Sequence, residues 1–196
     1  MHFETDKLYH IYNQGNNQQT IFFSAENYRY FLRCYKKIVS PFGDTLAYCL
    51  MPNHFHFLVH TNDHSIETIR VGSLSLTQLS NGIRQLLSSY ASAINSQEHR
   101  SGSLFRQKTK AKWLEKSTEN YPLIAFHYLH QNPLQAGLVK NLKDWEFSSY
   151  RDYLGMRDDT LCDISLAKHL IDVNWTHLER ETLELHENKK TLIGIF

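Results

Sequence analysis

The stretch TLAYCLMPNHFHFLVHTN, Thr45 to Asn62, reads as two apolar strands divided by the turn signal Met51-Pro52-Asn53, and the two strands should pair antiparallel. The second strand carries two different faces. Successive strand side chains point to opposite sides, so Phe55, Phe57 and Val59 share one face while His54, His56, Leu58 and His60 share the other. The phenylalanine face has the composition of a core. The other face presents the imidazoles of His54 and His56 roughly 6 to 7 Å apart at the backbone, given a rise of about 3.3 Å per residue, and that is within reach of one metal ion. His60 shares their parity but lies farther along, which suits a role at the strand end.

Upstream, KLYHIYNQGNN reads as a strand that runs into a polar turn at Gly15. SAENYRYFLRCYKKIV follows as an amphipathic helix capped by Ser24, with Tyr28, Phe31, Leu32, Tyr35 and Ile38 at helical spacing and Pro41 and Gly43 ending it. Downstream, residues 64–97 read as a helical stretch, clearest over Leu76 to Ile94 and interrupted or capped around Gly72 and Ser73. EHRSGSLFRQKTKAKWLEK is basic, begins with a glycine-containing turn and is expected to form a hairpin. STENYPLIAFHYLHQN reads as helical up to Pro133, because the residue before a proline is pushed out of the helical region, and NPLQAGLV reads as a short helix with Gly137 near its end. KDWEFSSYRDYLG looks like a packed connector, ISLAKHLIDV and THLERETLELHENKK like short helices, and the last segment like a loosely attached tail. The order βαββαβ(β)α implies an α+β fold, an antiparallel or mixed sheet of ferredoxin-like type packed by helices.

The bulk properties bound the function. The chain has 196 residues, which suits one compact domain with elaborations. Its formal charge of +1 requires any nucleic-acid contact to come from a local patch rather than from the overall field. Cys34, Cys49 and Cys162 form no CxxC pair, which speaks against a disulfide scaffold or a cysteine-ligated zinc and for reduced, packed thiols. There is no secretory leader pattern and no apolar run near 18 residues, so a cytoplasmic protein is expected.

Three constellations could carry chemistry. His-x-His on a strand is a metal-ligand spacing, because both rings leave one face and neutral imidazole suits several divalent ions. The alternative is a pair of half-buried strand histidines satisfied by their neighbours. Tyr128 and Asn132, spaced i, i+4, share a helix face and would place a nucleophile beside an oxygen ligand. They could instead be a packing tyrosine and a helix cap. Arg100, Arg106, Lys108, Lys110 and Lys112, with Phe105 and Trp113 interleaved, offer cations for phosphates and aromatic faces for unpaired bases. Such a strip is also compatible with a plain solvated hairpin.

Together these segments resemble a known family. PNHFHFLVH is similar to the His-hydrophobic-His motif of the single-tyrosine HUH transposases, and YLHQNPLQAGLV to the tyrosine helix and Asn-Pro turn of their REP-associated branch. YHIYNQGNNQQTIFF, GSLFRQKTKAK and DWEFSSYRDYLG sit where that branch has similar segments, so the resemblance covers about residues 7 to 155. It implies an HUH transposase domain over residues 1–155, with residues 156–196 as a helical extension of open role. It further implies a divalent metal, Mg²⁺ or Mn²⁺, on His54, His56 and Asn132, with Tyr128 as the nucleophile. Some relatives have glutamine at the Asn132 position, and LFRQKTK departs from the commoner order, which leaves the role of Gln107 open. The activity implied is cleavage and rejoining of hairpin-forming single-stranded DNA through a 5′-phosphotyrosine, by a monomer or by a homodimer that exchanges the tyrosine helix. Two other readings stand beside it: a hairpin-binding module without catalysis, and a metal-dependent phosphodiesterase that activates water.

Overall fold

In the computed structural model, which describes residues 1–114 and 120–187, four strands form one antiparallel sheet. They are β1 (Leu8–Gln14), β2 (Asp44–Met51), β3 (His54–His60) and β6 (Lys110–Trp113), in the order β2-β3-β1-β6. Between β1 and β2 runs α1 (Ala25–Ile38), capped by a reciprocal hydrogen-bond pair between Ser24 and Asn27. The strand order and the helical crossover are those of the ferredoxin-like α+β fold expected from the sequence. Strands β2 and β3 pair antiparallel across the Pro52-Asn53 turn, as their apolar patterns require.

The segment after β3 differs from the expected helical stretch. Helix α2 (Asp63–Ile66) is a single turn, β4 (Thr68–Val71) and β5 (Leu74–Thr77) form a separate hairpin, and only then does α3 (Gln78–Gln97) begin. Thr68, Ile69 and Val71 are β-branched, Gly72 supplies the positive φ of the turn (61°), and Thr77 caps α3 by accepting the Ser80 N–H at 3.2 Å. The described part of the basic segment, residues 98–114, also forms no hairpin. It contributes the single strand β6, because Asn13 on β1 donates to the Arg106 carbonyl (3.1 Å) and the Thr109 hydroxyl (2.9 Å) and draws the segment onto the sheet edge.

Helix α4 (Tyr121–Gln135) continues through Pro133 rather than stopping before it. The proline lies in the last turn, where it removes one donor, and the Asn132 amide adds a bond to the Tyr128 carbonyl at 2.7 Å. The helix closes at Gly137 (φ 68°), with the Leu138 N–H on the Pro133 carbonyl at 2.9 Å, so the second short helix expected after Pro133 is the end of α4 itself. The start expected at residues 117–119 lies outside the described residues.

Helices α1 and α3 pack on the phenylalanine face of the sheet, where Phe31 meets Phe55 and Phe57 and Tyr35 stacks on Phe57 with ring centroids 4.0 Å apart. Helix α4 covers the histidine face, together with α5 (Tyr150–Tyr153) and α6 (Ile164–Leu170). The connector before α5 is packed, as expected, and Ser148 bridges Cys49 on β2. Helix α7 (Leu178–Glu187) is docked rather than loosely attached, since Thr182 is fully buried and bonds His127 and Gln131 of α4. The rest of the expected tail, residues 188–196, lies outside the described residues. All three cysteines are free, with Cys49 and Cys162 buried. Among the described residues no helix is long and apolar enough to cross a membrane.

Candidate active site

The site forms where the start of β3 passes under α4. A turn positions it: the Pro52 carbonyl accepts the N–H groups of Ile21 (2.8 Å) and Phe22 (3.1 Å), and the Asn53 carbonyl accepts that of Gly15 (2.8 Å). A Cβ at residue 15 would sit 2.1 Å from the Gln19 carbonyl oxygen, so this loop closes against the turn only with glycine. His54 follows at once. Its Nδ1 lies 2.7 Å from the Asn53 side-chain oxygen, and Asn53 Nδ2 reaches the Gln18 carbonyl at 3.4 Å, which fixes the amide orientation. An amide oxygen can only accept, so Nδ1 carries the proton and the lone pair of His54 is on Nε2.

His56, two residues on, is buried, with its ring 4.9 Å from that of His54 and inclined at 83°. Its Nδ1 lies 2.8 Å from Nε2 of His10 on β1, while its Nε2 is buried with no hydrogen-bond partner. Burial pushes both ligand candidates toward the neutral form: His54 below the ordinary range, against the opposing influence of the Asn132 carboxamide, and His56 well below it, with the neighbouring His10 and His54 adding to the effect. His10 is held down at about 3 by burial first and by the charge of Lys112 second.

Helix α4 brings the other two residues. The ring of Tyr128 stands 5.6 Å from that of His56 in its own chain, edge to face at 83°. Asn132, one turn later, lies close enough to both the His54 ring and the Tyr128 hydroxyl to bias their protonation. Burial raises the Tyr128 phenol above its usual range and the Asn132 contact partly opposes this, so the hydroxyl is neutral at pH 7. The structure therefore brings His54, His56, Tyr128 and Asn132 together, and Asn132 is no cap: it sits inside α4 with its amide nitrogen on the Tyr128 carbonyl.

Two neutral imidazoles and a carboxamide are a donor set that suits a divalent ion, and the orphaned Nε2 of His56 is a buried polar atom that such an ion would satisfy. Among the described residues no group of three or more His, Cys, Asp or Glu side chains able to hold a metal is present. A cation here would rest on His54, His56 and Asn132, with its other positions open to solvent or phosphate oxygens.

The basic strip divides. Lys110 and Lys112 on β6 pair with Tyr12 and His10 of β1 and so share the site's face of the sheet. Arg106 and Lys108 are exposed in the segment before β6 and line a groove of about 780 Å³ against α3. Arg100 is tied to Gln19 at 2.7 Å, and Gln107 lies exposed in the groove wall. Phe105 does not present its ring for stacking: it is 6 % exposed and packs against Phe55 and Tyr90 in the core. Trp113 is exposed, with the Lys7 ammonium 4.8 Å above its ring. His60 closes the far end of β3 against Asp6 (3.0 Å) and Asp44 (3.8 Å), the strand-end position its parity suggested. Sequence patterning did not reveal His10, Tyr12 or Asn53. The available signal was the parity of β1, which puts His10 and Tyr12 on the face opposite Tyr9 and Ile11.

No protein-family model matches the sequence, and no curated protein is similar to it. A solved structure of a REP-associated tyrosine transposase bound to a REP hairpin matches with a TM-score of 0.58, over 84 % of this chain and 90 % of that one, at 13 % identity. The fold is shared with a tyrosine transposase. At this identity the likeness carries the architecture, a sheet with helices on both faces, and the roles of individual side chains rest on the geometry above.

Proposed function

We propose that the protein is a single-tyrosine HUH-type transposase or endonuclease that cleaves and rejoins hairpin-forming single-stranded DNA. The observation that carries this reading is the convergence of a phenol, two neutral imidazoles and a carboxamide from β3 and α4, in a fold shared with a tyrosine transposase. Each residue has a task. The Tyr128 oxygen attacks the scissile phosphorus and gives its proton to solvent, a bond forms between them, the bond to the 3′ oxygen breaks, and that oxygen leaves as a hydroxyl by taking a proton from solvent. The product is a 5′-phosphotyrosine and a free 3′-hydroxyl, so attack by a second 3′-hydroxyl reverses the step and joins DNA without ATP. Asn132 orients the Tyr128 hydroxyl, and Asn53 fixes the His54 ring.

Mg²⁺ or Mn²⁺ held by His54, His56 and Asn132 would draw charge from the phosphate and make its phosphorus electrophilic. Lys110 and Lys112 lie on the site's face and lead the DNA backbone toward it, with Lys108 and Arg106 extending that path. Residues 1–155 supply this machinery, and residues 156–187 brace the far side of the tyrosine helix through Thr182.

The test is to incubate labelled hairpin oligonucleotides with the protein and Mn²⁺, then look on a denaturing gel for label that migrates with protein. We expect an adduct that Tyr128→Phe abolishes. Cleavage without an adduct, retained in Tyr128→Phe, would make the protein a water-activating phosphodiesterase, and tight binding without products would make it a hairpin-binding module.

A further inference from the structure

His10 lies on β1, wholly buried, one residue pair diagonal from His56: the register sets Tyr12 opposite His56 and His10 opposite Leu58. The two imidazoles nevertheless meet, with His10 Nε2 at 2.8 Å from His56 Nδ1 and the ring planes inclined by only 19°. Tyr12 stacks on His10 at 4.7 Å and lies 5.8 Å from His56, flanking the pair. A bond between two neutral imidazoles needs one donor and one acceptor, so two proton arrangements are possible. If His10 donates, His56 accepts on Nδ1 and its own proton falls on Nε2, which then has no lone pair to offer a cation. If His56 donates, Nε2 keeps its lone pair, directed where the His54 ring and Tyr128 converge. Lys112, opposite His10 on β6, adds a positive charge that helps keep His10 neutral.

We propose that His10 is a positioning residue: its Nε2 accepts the Nδ1 proton of His56 and thereby holds His56 in the tautomer whose Nε2 lone pair faces the site. This rests on the cation-binding reading of His54 and His56. It assigns β1 a part in the site that the His-x-His motif does not include, and it makes the two imidazoles equivalent in design. His54 is oriented by a neighbour in sequence, Asn53, and His56 by a neighbour in space, His10.

The experiment uses the full chain without DNA and measures Mn²⁺ affinity by titration calorimetry for the wild type, His10→Phe, His10→Gln and His56→Ala. Phenylalanine preserves a flat ring but accepts no hydrogen bond, so affinity should fall about 10- to 100-fold. Glutamine offers an amide oxygen to Nδ1–H and should recover most of that loss. In parallel, ¹⁵N imidazole spectra of the metal-free wild type should show His56 protonated on Nδ1. Wild-type affinity in His10→Phe, or a His56 proton found on Nε2, would overturn the assignment of His10 alone. Mn²⁺ binding that is absent, or unchanged in His56→Ala, would instead overturn the cation reading and this proposal with it. If His10→Phe does not fold, the wild-type tautomer and His10→Gln decide the matter.

Discussion

The two faces of the central sheet arise from the same strands by simple alternation, and they are built to opposite standards. On the α1/α3 face, Phe31, Phe55, Phe57 and Tyr35 interlock, and the Tyr35 hydroxyl is matched by Thr45 at 3.0 Å. On the α4 face, His10, His54, His56, Tyr128 and Asn132 crowd together, and the buried Nε2 of His56 is left without a hydrogen-bond partner. An aromatic layer of the first kind contributes stability. A layer that strips protons and solvent from imidazoles gives stability up, which is the pattern expected where a local rule is broken for function.

Substitutions on each side should sharpen that contrast. The largest effect belongs to Tyr128→Phe, which should remove the covalent adduct completely while the melting temperature stays close to wild type, and the His54→Ala, His56→Ala double variant should abolish cleavage with hairpin binding largely kept. Retained cleavage in the double variant would sink the metal assignment. The reverse pattern is expected for Phe31→Ala, which should cost about 3–5 kcal/mol in urea unfolding.

Acid should separate the faces next. His130 on α4 is held neutral, at about 3, by burial first and by His127 second. Below pH 6.5 the unfolded chain binds a proton that the folded chain refuses, so stability is complete above that pH. It should fall toward pH 3 by up to about 1.4 kcal/mol per pH unit from this residue. Urea unfolding at pH 7 and pH 5 should show the loss, and a His130→Gln variant should show a shallower one.

The smallest effect is electrostatic. Neutralising Lys108, Lys110 and Lys112 together should weaken hairpin binding and reduce the slope of log affinity against log salt by about 2, if each meets one phosphate of a single strand. An unchanged slope would place the DNA path elsewhere.

How much of this was legible follows from the range of each signal. The β2–β3 pair, the faces of β3, the cap of α1 and the i, i+4 pair on α4 are local patterns, and the structure keeps all of them. Residues 68–77 were misread because apolar residues in a short hairpin can mimic helical spacing, and the β-branched run before Gly72 was the better guide. Phe105 was misread for a different reason. A basic and aromatic strip shows composition, whereas only the bridge between Gly15 and Phe105 turns that ring inward. The bond from His10 to His56 joins residues 46 apart in sequence and across a diagonal of the sheet, so no window of sequence contains it.

The sheet ends differently at its two edges. Along β2 the chain returns at residues 147–149, with the Leu50 N–H on the Phe147 carbonyl and the Ser149 N–H on the Tyr48 carbonyl, both at 2.9 Å, so part of that edge is already paired. At the other edge β6 is four residues long, and two of the four are lysines. Short, lysine-bearing edges resist the addition of a strand from another molecule. Lys110 and Lys112 therefore guard against self-association as well as facing the site, and replacing them with neutral residues invites edge-to-edge aggregation that only a solubility or light-scattering control would tell apart from lost affinity.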